Sequence, residues 1–462
     1  MFLRLFLHLQ YVLWYTHNMM VSKKKVMTKK KKISPVLIFF LTLGGILLVG
    51  LSGLLFLSLQ TGKRGAQQAW NTDADESSRQ DGRGQDDLEG KDNAEGETLL
   101  HSLWEMIPEK QAAAEEEKEP YADILRDPEY MAANRIYEKK SSEDGRVTLC
   151  FAGDILFDDE YAVMAKLKSR GGAIENGISE ALISEMRAAD IMMINNEFPY
   201  TNRGTPTEGK TYTFRADTDT VHYLDDLGVD LVSLANNHCY DFGETGLLDT
   251  LDTLQQDGIP YAGAGRNLEE AAAPVYFISG GMKIGFLSAT QIERLDNPDT
   301  KGATEGAAGV FRCWNPEKLL AVTEETRKNC DFLVVYIHWG TENVAEADWA
   351  QLDQAPKIAQ AGADLIIGDH PHCLQGIQYF GETPVFYSLG NFWFNSKTLD
   401  TCLLKVTLTD SRIESMTFIP AVQSGCYTSL AEGEEGQRVI SYMNSLSTGA
   451  FIGSDGSISR QE

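Results

Sequence analysis

Seven short apolar runs follow one another along the chain, at 147–152, 190–195, 230–235, 283–289, 331–337, 363–367 and 385–389. Amphipathic helical patterns fall between them at 178–189, 244–256, 316–329 and 349–361. Strands that alternate with helices in this way predict an α/β domain built on a largely buried sheet. Two later runs, 402–408 and 413–419, flank a polar Asp410–Ser411–Arg412 turn and predict an antiparallel hairpin on a second or mixed sheet. The tail beyond about residue 427 adds one amphipathic helix and a Gly/Ser-rich end, and no internal repeat is present.

Polar residues are concentrated where these runs stop. VTLCFAGD ends in Asp154 and DIMMINNE in Glu197. Four of the eight histidines follow other runs: His238 in SLANNHCYDFG, His338 in VVYIHWG, and His370 and His372 in LIIGDHPH. In an open α/β sheet the carboxyl ends of the strands line the ligand crevice. Carboxylates, imidazoles and the amide oxygen of Asn237 gathered there would suit one or two divalent cations, and mixed oxygen and nitrogen donors fit manganese, iron or zinc. Glu197 has two oxygens with which to bridge two cations, although a strand-end glutamate can equally cap a helix. His238 is placed to act as a general acid near neutral pH, with Asp241 to orient its ring. YSLGNFWF, with Asn391, would form a wall of the same crevice.

Charge divides the chain. Of 462 residues with a net charge of −26, the first 64 hold 10 Lys+Arg and no acid; the remaining 398 carry 31 basic against 67 acidic residues. So acidic a body argues against nucleic acid as a partner, since phosphate binding depends on lysine and arginine. Residues 35–60 are 26 residues without a charge, long enough to span a bilayer as a helix, and lysines precede them at 23–25 and 29–32. The positive-inside rule places a basic N-terminus (1–34) in the cytoplasm and everything after 60 outside. No small-residue cleavage site follows, which predicts a retained signal anchor in a single-pass cell-membrane protein. Residues 61–146 read as an acidic disordered linker, with 22 Asp+Glu from 65 onward and short helices near 99–106 and 121–138. The domain proper is expected over 147–430, with a C-terminal helix and tail over 431–462. The seven cysteines form no C-x-x-C pair, so they are no disulfide scaffold. Cys239 and Cys373 each follow a motif histidine; they are read as small residues packed beside the site rather than as a disulfide.

Taken together, GDILF, NNEFP, ANNHCYDFG, GAGRNLEEA, IHWGTE, GADLIIGDHPHCLQG and YSLGNFWF resemble the CapA family of capsule-synthesis proteins, linked to bacterial poly-γ-glutamate production. That family is similar to the calcineurin-like metallophosphoesterases, and the resemblance implies a two-sheet α/β/β/α sandwich. It also implies roles. Asp154 and His372 would hold a first metal, Glu197 would bridge, Asn237, His338 and His370 would hold a second, and His238 would be the acid beside the scissile bond. Two positions depart from the pattern: Leu156 stands where the phosphoesterases have a histidine, and Asp369 where the capsule family often has another. The implied function is a membrane-anchored extracytoplasmic protein of capsule or poly-γ-glutamate synthesis or export, with a di-metal phosphoesterase-like site. The implied substrate is an anionic polymer or a phosphoester, and the implied partners are membrane polymer-synthase subunits. The alternatives are a non-catalytic accessory subunit of such a complex and an amide hydrolase acting on γ-glutamyl bonds.

Overall fold

A computed structural model describes residues 120–292 and 301–461. The apolar run 35–60, the basic N-terminus and most of the acidic linker lie outside the described residues. Among the described residues, no helix is long and apolar enough to cross a membrane.

Two large sheets form the centre. The first has seven strands in the order Ile136–Glu138, Val275–Ser279, Met282–Thr290, Phe332–His338, Leu365–Asp369, Thr383–Leu389 and Leu374–Phe380. The second runs Tyr427–Leu430, Arg412–Ser424, Leu399–Thr409, Arg146–Ile155, Ile191–Asn196, Leu231–Ser233 and Tyr261–Ala262, with Asn391–Trp393 as an eighth strand beside Arg146–Ile155. In each sheet the strands that carry the motif residues run parallel, and antiparallel hairpins extend the edges.

Side-chain alternation sorts the layers. Val147, Leu149 and Phe151 point to one face of their strand and join Phe286, Val334, Tyr336 and Ile367 of the other sheet in a single core between the sheets. Cys150 and Ala152 point the other way, into a second core with Leu182, Leu224, Leu247 and Leu251 from the helices. On the far face of the first sheet, Leu333, Val335 and Ile337 pack with Leu319, Ala355 and Ile358, again from helices. This is a mixed α/β protein with helices, two facing sheets and helices in succession. A period of two along each strand, with both faces covered, explains why the central strands read as continuous apolar runs.

The expected helices are present as Glu180–Arg187, Gly243–Asp257, Glu317–Arg327 and Trp349–Gln360, and the hairpin is longer than expected, at Leu399–Thr409 and Arg412–Ser424. The C-terminal helix, Gly433–Leu446, lays Val439, Ile440 and Met443 into the inter-sheet core. Part of the stretch read as linker is ordered: short helices at Ala122–Leu125 and Pro128–Ala133 lead into Ile136–Glu138, which pairs in parallel with Val275–Ser279. Its acidic composition masked one buried side chain, Ile136, which ties this strand to the sheet. All seven cysteines are unpaired, and Cys239 is buried in the core on the helix side.

Candidate metal centre

Strand register assembles the centre. His338 and Asp369 end neighbouring parallel strands and are register partners. Asp154 has Asn195 as its partner on one side and Asn391 on the other. Glu197 follows directly after Ile191–Asn196, and Asn237 and His238 lie just beyond Leu231–Ser233. All eight expected residues, Asp154, Glu197, Asn237, His238, Asp241, His338, His370 and His372, therefore meet at the carboxyl ends of strands from both sheets.

Two donor groups share one carboxylate. Glu197, His338 and His370 converge on one side, and Asp154, Glu197 and His372 on the other. On the first side, His338 Nε2 lies 2.8 Å from Asn237 Oδ1, 3.0 Å from His370 Nδ1 and 3.6 Å from Glu197 Oε1. On the second, His372 Nδ1 lies 3.0 Å from Asp154 Oδ2, 2.8 Å from Asn391 Oδ1 and 4.0 Å from Glu197 Oε2. Glu197 has no exposure, and neither of its carboxylate oxygens has a hydrogen-bond partner. A buried, unpaired carboxylate is costly by itself and is what a cation site requires.

The imidazoles point to the same conclusion. His338 Nδ1 is 2.8 Å from Asp369 Oδ1, so the ring donates there and turns the lone pair of Nε2 towards Asn237 Oδ1, itself an acceptor. Acceptors facing one another at that distance are relieved by a cation or an added proton. The donor set therefore fits a divalent metal, and these groups could hold one.

Burial and neighbouring charge set the proton affinities. Burial, then the charges of Asp154 and Asp369, push Glu197 well above the usual carboxylate range. Burial, then the neighbouring His370, holds His338 well below the usual imidazole range. For His372 burial is the largest single influence and opposes the charged ring, but the hydrogen bond to Asp154, its charge and the contact with Asn391 together raise its pKa. Asp154 is held below its ordinary value by the same pairing, against its own burial.

The backbone at the GDHPH turn is strained. His370 has φ 92° and His372 φ 57°, a region that L-residues seldom enter. Two such residues flanking Pro371 turn both imidazoles back towards the centre, and backbone outliers of this kind gather at functional sites.

His238 stands at the edge of the centre, its Nε2 4.0 Å from Glu197 Oε1. Its Nδ1 is 2.7 Å from Asp241 Oδ2, and its ring lies against Phe214 with centroids 4.1 Å apart. Asp241 accepts a further bond from the Phe214 amide and pairs with the buried ammonium of Lys210, which also donates to the Asn237 carbonyl. Burial pushes Asp241 up to about 7, with Lys210 pulling against it.

Several contributors were not singled out from the sequence. Asn195 donates to Asp154 Oδ1. Asn236 accepts from the amides of His238 and Cys239 and donates to Asn195, fixing the loop that carries Asn237. Both stand inside the NNE and ANNH motifs, so adjacency to a ligand was the available signal. Asp369, noted only as a departure from the family pattern, is the carboxylate that orients His338. Asn391, expected as a wall, offers its amide oxygen at His372. Lys210 lies in a polar loop without any pattern, and nothing in the sequence marks it. Leu156 packs in the core on the helix side and contributes nothing to the centre.

Comparison with known proteins gives the family. Residues 148–396 match the family described as bacterial capsule synthesis protein PGA_cap. The chain is 30% identical over 276 residues to the PGA biosynthesis protein CapA of Bacillus subtilis (strain 168), covering 58% of this chain and 70% of that one. It is 27% identical over 300 residues to the capsule biosynthesis protein CapA of Bacillus anthracis, covering 62% and 70%. A probable polyglutamine synthesis accessory protein of Mycobacterium tuberculosis (strain CDC 1551 / Oshkosh) is 27% identical over 219 residues, covering 46% of this chain and 58% of its own length.

Proposed function

Because the chain belongs to the bacterial capsule synthesis protein family, we propose that it serves poly-γ-glutamate or related envelope-polymer synthesis or export as a membrane-anchored, extracytoplasmic hydrolase of the calcineurin-like metallophosphoesterase type. The observation that carries the reading is Glu197, a fully buried carboxylate with both oxygens unpartnered, placed between two donor groups. Asp154, Glu197 and His372, with Asn391, would hold one divalent cation; Glu197, Asn237, His338 and His370 would hold the other. When bound, such cations polarise a phosphoryl oxygen and offset the charge that builds up during displacement.

The remaining steps belong to the chain. Asp369 fixes the His338 ring so that Nε2 faces inward. The protonated His238 ring keeps its Nδ1–H as a donor to Asp241 and gives its Nε2 proton to the departing oxygen, which leaves a neutral imidazole. Lys210 offsets the buried charge of Asp241 and so keeps the pair in register. Phe214 covers one face of the imidazole and excludes water from it.

A second reading has its own support: with Leu156 in the apolar core, the Asp154 side lacks one imidazole, as suits a non-catalytic accessory subunit that binds polymer or braces a synthase. Metal content of the purified full chain, beside a His338→Ala/His370→Ala variant, tests the centre, and a phosphoester screen follows. Near-stoichiometric metal that falls in the variant, with hydrolysis lost in His238→Ala, is the expected result. Bound metal without turnover moves the accessory reading ahead. No metal after reconstitution with manganese, iron and zinc ends the hydrolase reading.

A further inference from the structure

A cleft of about 400 Å³ opens beside the centre, and its lining includes Asn237 and His370 of the centre together with Trp314 and Trp349. The two indoles are exposed, at 43% and 60%, and meet edge to face with centroids 5.8 Å apart and planes at 80°. Their positions are built in. Trp349 is the first residue of the helix Trp349–Gln360, held outward by a capping box between Asp348 and Gln351, and Trp314 closes the loop that leads into Glu317–Arg327. Large exposed aromatics next to a polar centre are uncommon unless they serve contact.

The charge of the lining narrows the occupant. Among the described residues no lysine or arginine lines the cleft, whereas Glu342 and Asp348 do. Asp348 is engaged by the helix amides and by Thr341. Glu342 is exposed and makes no hydrogen bond or ion pair among the described residues. An anion would meet this carboxylate unaided, and a flat sugar ring would call for one open platform rather than a corner. Two perpendicular indoles with one spare carboxylate suit a cation, which the ring faces attract electrostatically.

We propose that this cleft binds the ammonium group of a small zwitterionic ligand whose phosphate or carboxylate end lies on the adjacent centre. The inference rests on the metal-centre reading for the anionic end alone; the two indoles and Glu342, which line the same cleft, need no metal. A cleft of this size takes one head group and no long stretch of polymer. The same chemistry is present in amino-alcohol phosphates and at the amino end of a γ-glutamyl chain.

The test uses the full chain, loaded with manganese, and calorimetric titration with two matched pairs: phosphocholine against inorganic phosphate, and γ-glutamylglutamate against its N-acetyl form. The ammonium-bearing member should bind about ten-fold more tightly in at least one pair, and the pair with the larger ratio identifies the source. Trp349→Ala and Glu342→Gln should bring that ratio close to one and leave inorganic phosphate binding unchanged. A ratio of one in both pairs for the unaltered protein overturns the proposal, as does an equal loss of all ligands in the variants. Tetramethylammonium, followed by tryptophan emission after chelation, separates the two failures. A shift that Trp349→Ala abolishes upholds the cleft even if no phosphate binds; phosphate binding without any such shift sinks the cleft and spares the centre.

Discussion

Glu197 sets opposite expectations for the metal-free and metal-loaded protein. Without a cation its carboxylate is buried and unpartnered, so Glu197→Gln should leave chelated protein unchanged or stabilise it by about 1–2 kcal/mol. In loaded protein the same change should abolish binding of one or both metals and lower the melting temperature. The pH dependence has a definite sign. A carboxyl raised in the folded state binds more protons there than in the unfolded chain, so its contribution is fully present below the unfolded pKa and is lost as pH rises through the folded one. His338, held low, pulls the other way in the same window, so the test is the difference: in urea melts of chelated protein, stability should fall with pH between 5 and 8 relative to Glu197→Gln, and a difference of opposite sign would refute it. Asp369→Asn should keep the fold and weaken metal binding by about 10- to 100-fold, because the carboxylate that orients the His338 ring and raises its basicity becomes a neutral amide. Lys210→Met leaves Asp241 buried without its counter-charge and should cost about 3 kcal/mol in denaturant melts. Lys210 was invisible in the sequence because its role arises from contacts across the fold, not from a motif or a period.

At the scale of elements, what was legible is what periodicity reports. The strands buried on both faces appear as apolar runs, and their ends fall within a few residues of expectation. Val275–Ser279 and Leu374–Phe380 were not anticipated. The first is joined to its partner by a tight Gly280–Gly281 turn and so runs into the following apolar stretch. The second carries two glutamines and a glycine, and Gln375 is buried only because it accepts from Gln351 and donates to the Val344 carbonyl. Polar residues satisfied by long-range partners look like loop in a linear reading. The site residues were legible because ligands placed at strand ends are adjacent in sequence to the runs that carry them. Gly153 is an element-level constraint: a Cβ there would collide with the Gly390 carbonyl oxygen, which accepts from the Asp154 amide. Gly153→Ala should therefore pry Asn391–Trp393 from Arg146–Ile155. The expected result is a clear loss of thermal stability together with loss of metal on the Asp154 side, read by melting and by metal content of the same sample.

For the whole molecule, cation uptake should be coupled to proton release. Glu197 and His372 both have raised proton affinities, and ligation requires both to be deprotonated. Affinity should therefore rise with pH between 5.5 and 8, and calorimetry in buffers of different ionisation enthalpy should detect protons released; identical heats in all buffers would contradict the assignment. Loading should also stabilise the fold by about 3 kcal/mol at a hundred-fold excess over Kd, since the cation binds the folded state, and so raise the melting temperature. The same register that gathers the ligands has a bearing on biogenesis. The donor set begins with Asp154 and closes with Asn391, and its members are partners across strands that lie far apart in the chain. No chain still being synthesised, and none crossing a membrane in extended form, holds more than a fragment of the set. The cation must be drawn from whichever compartment the domain finishes folding in, so for an exported domain the metal supply is that of the cell exterior.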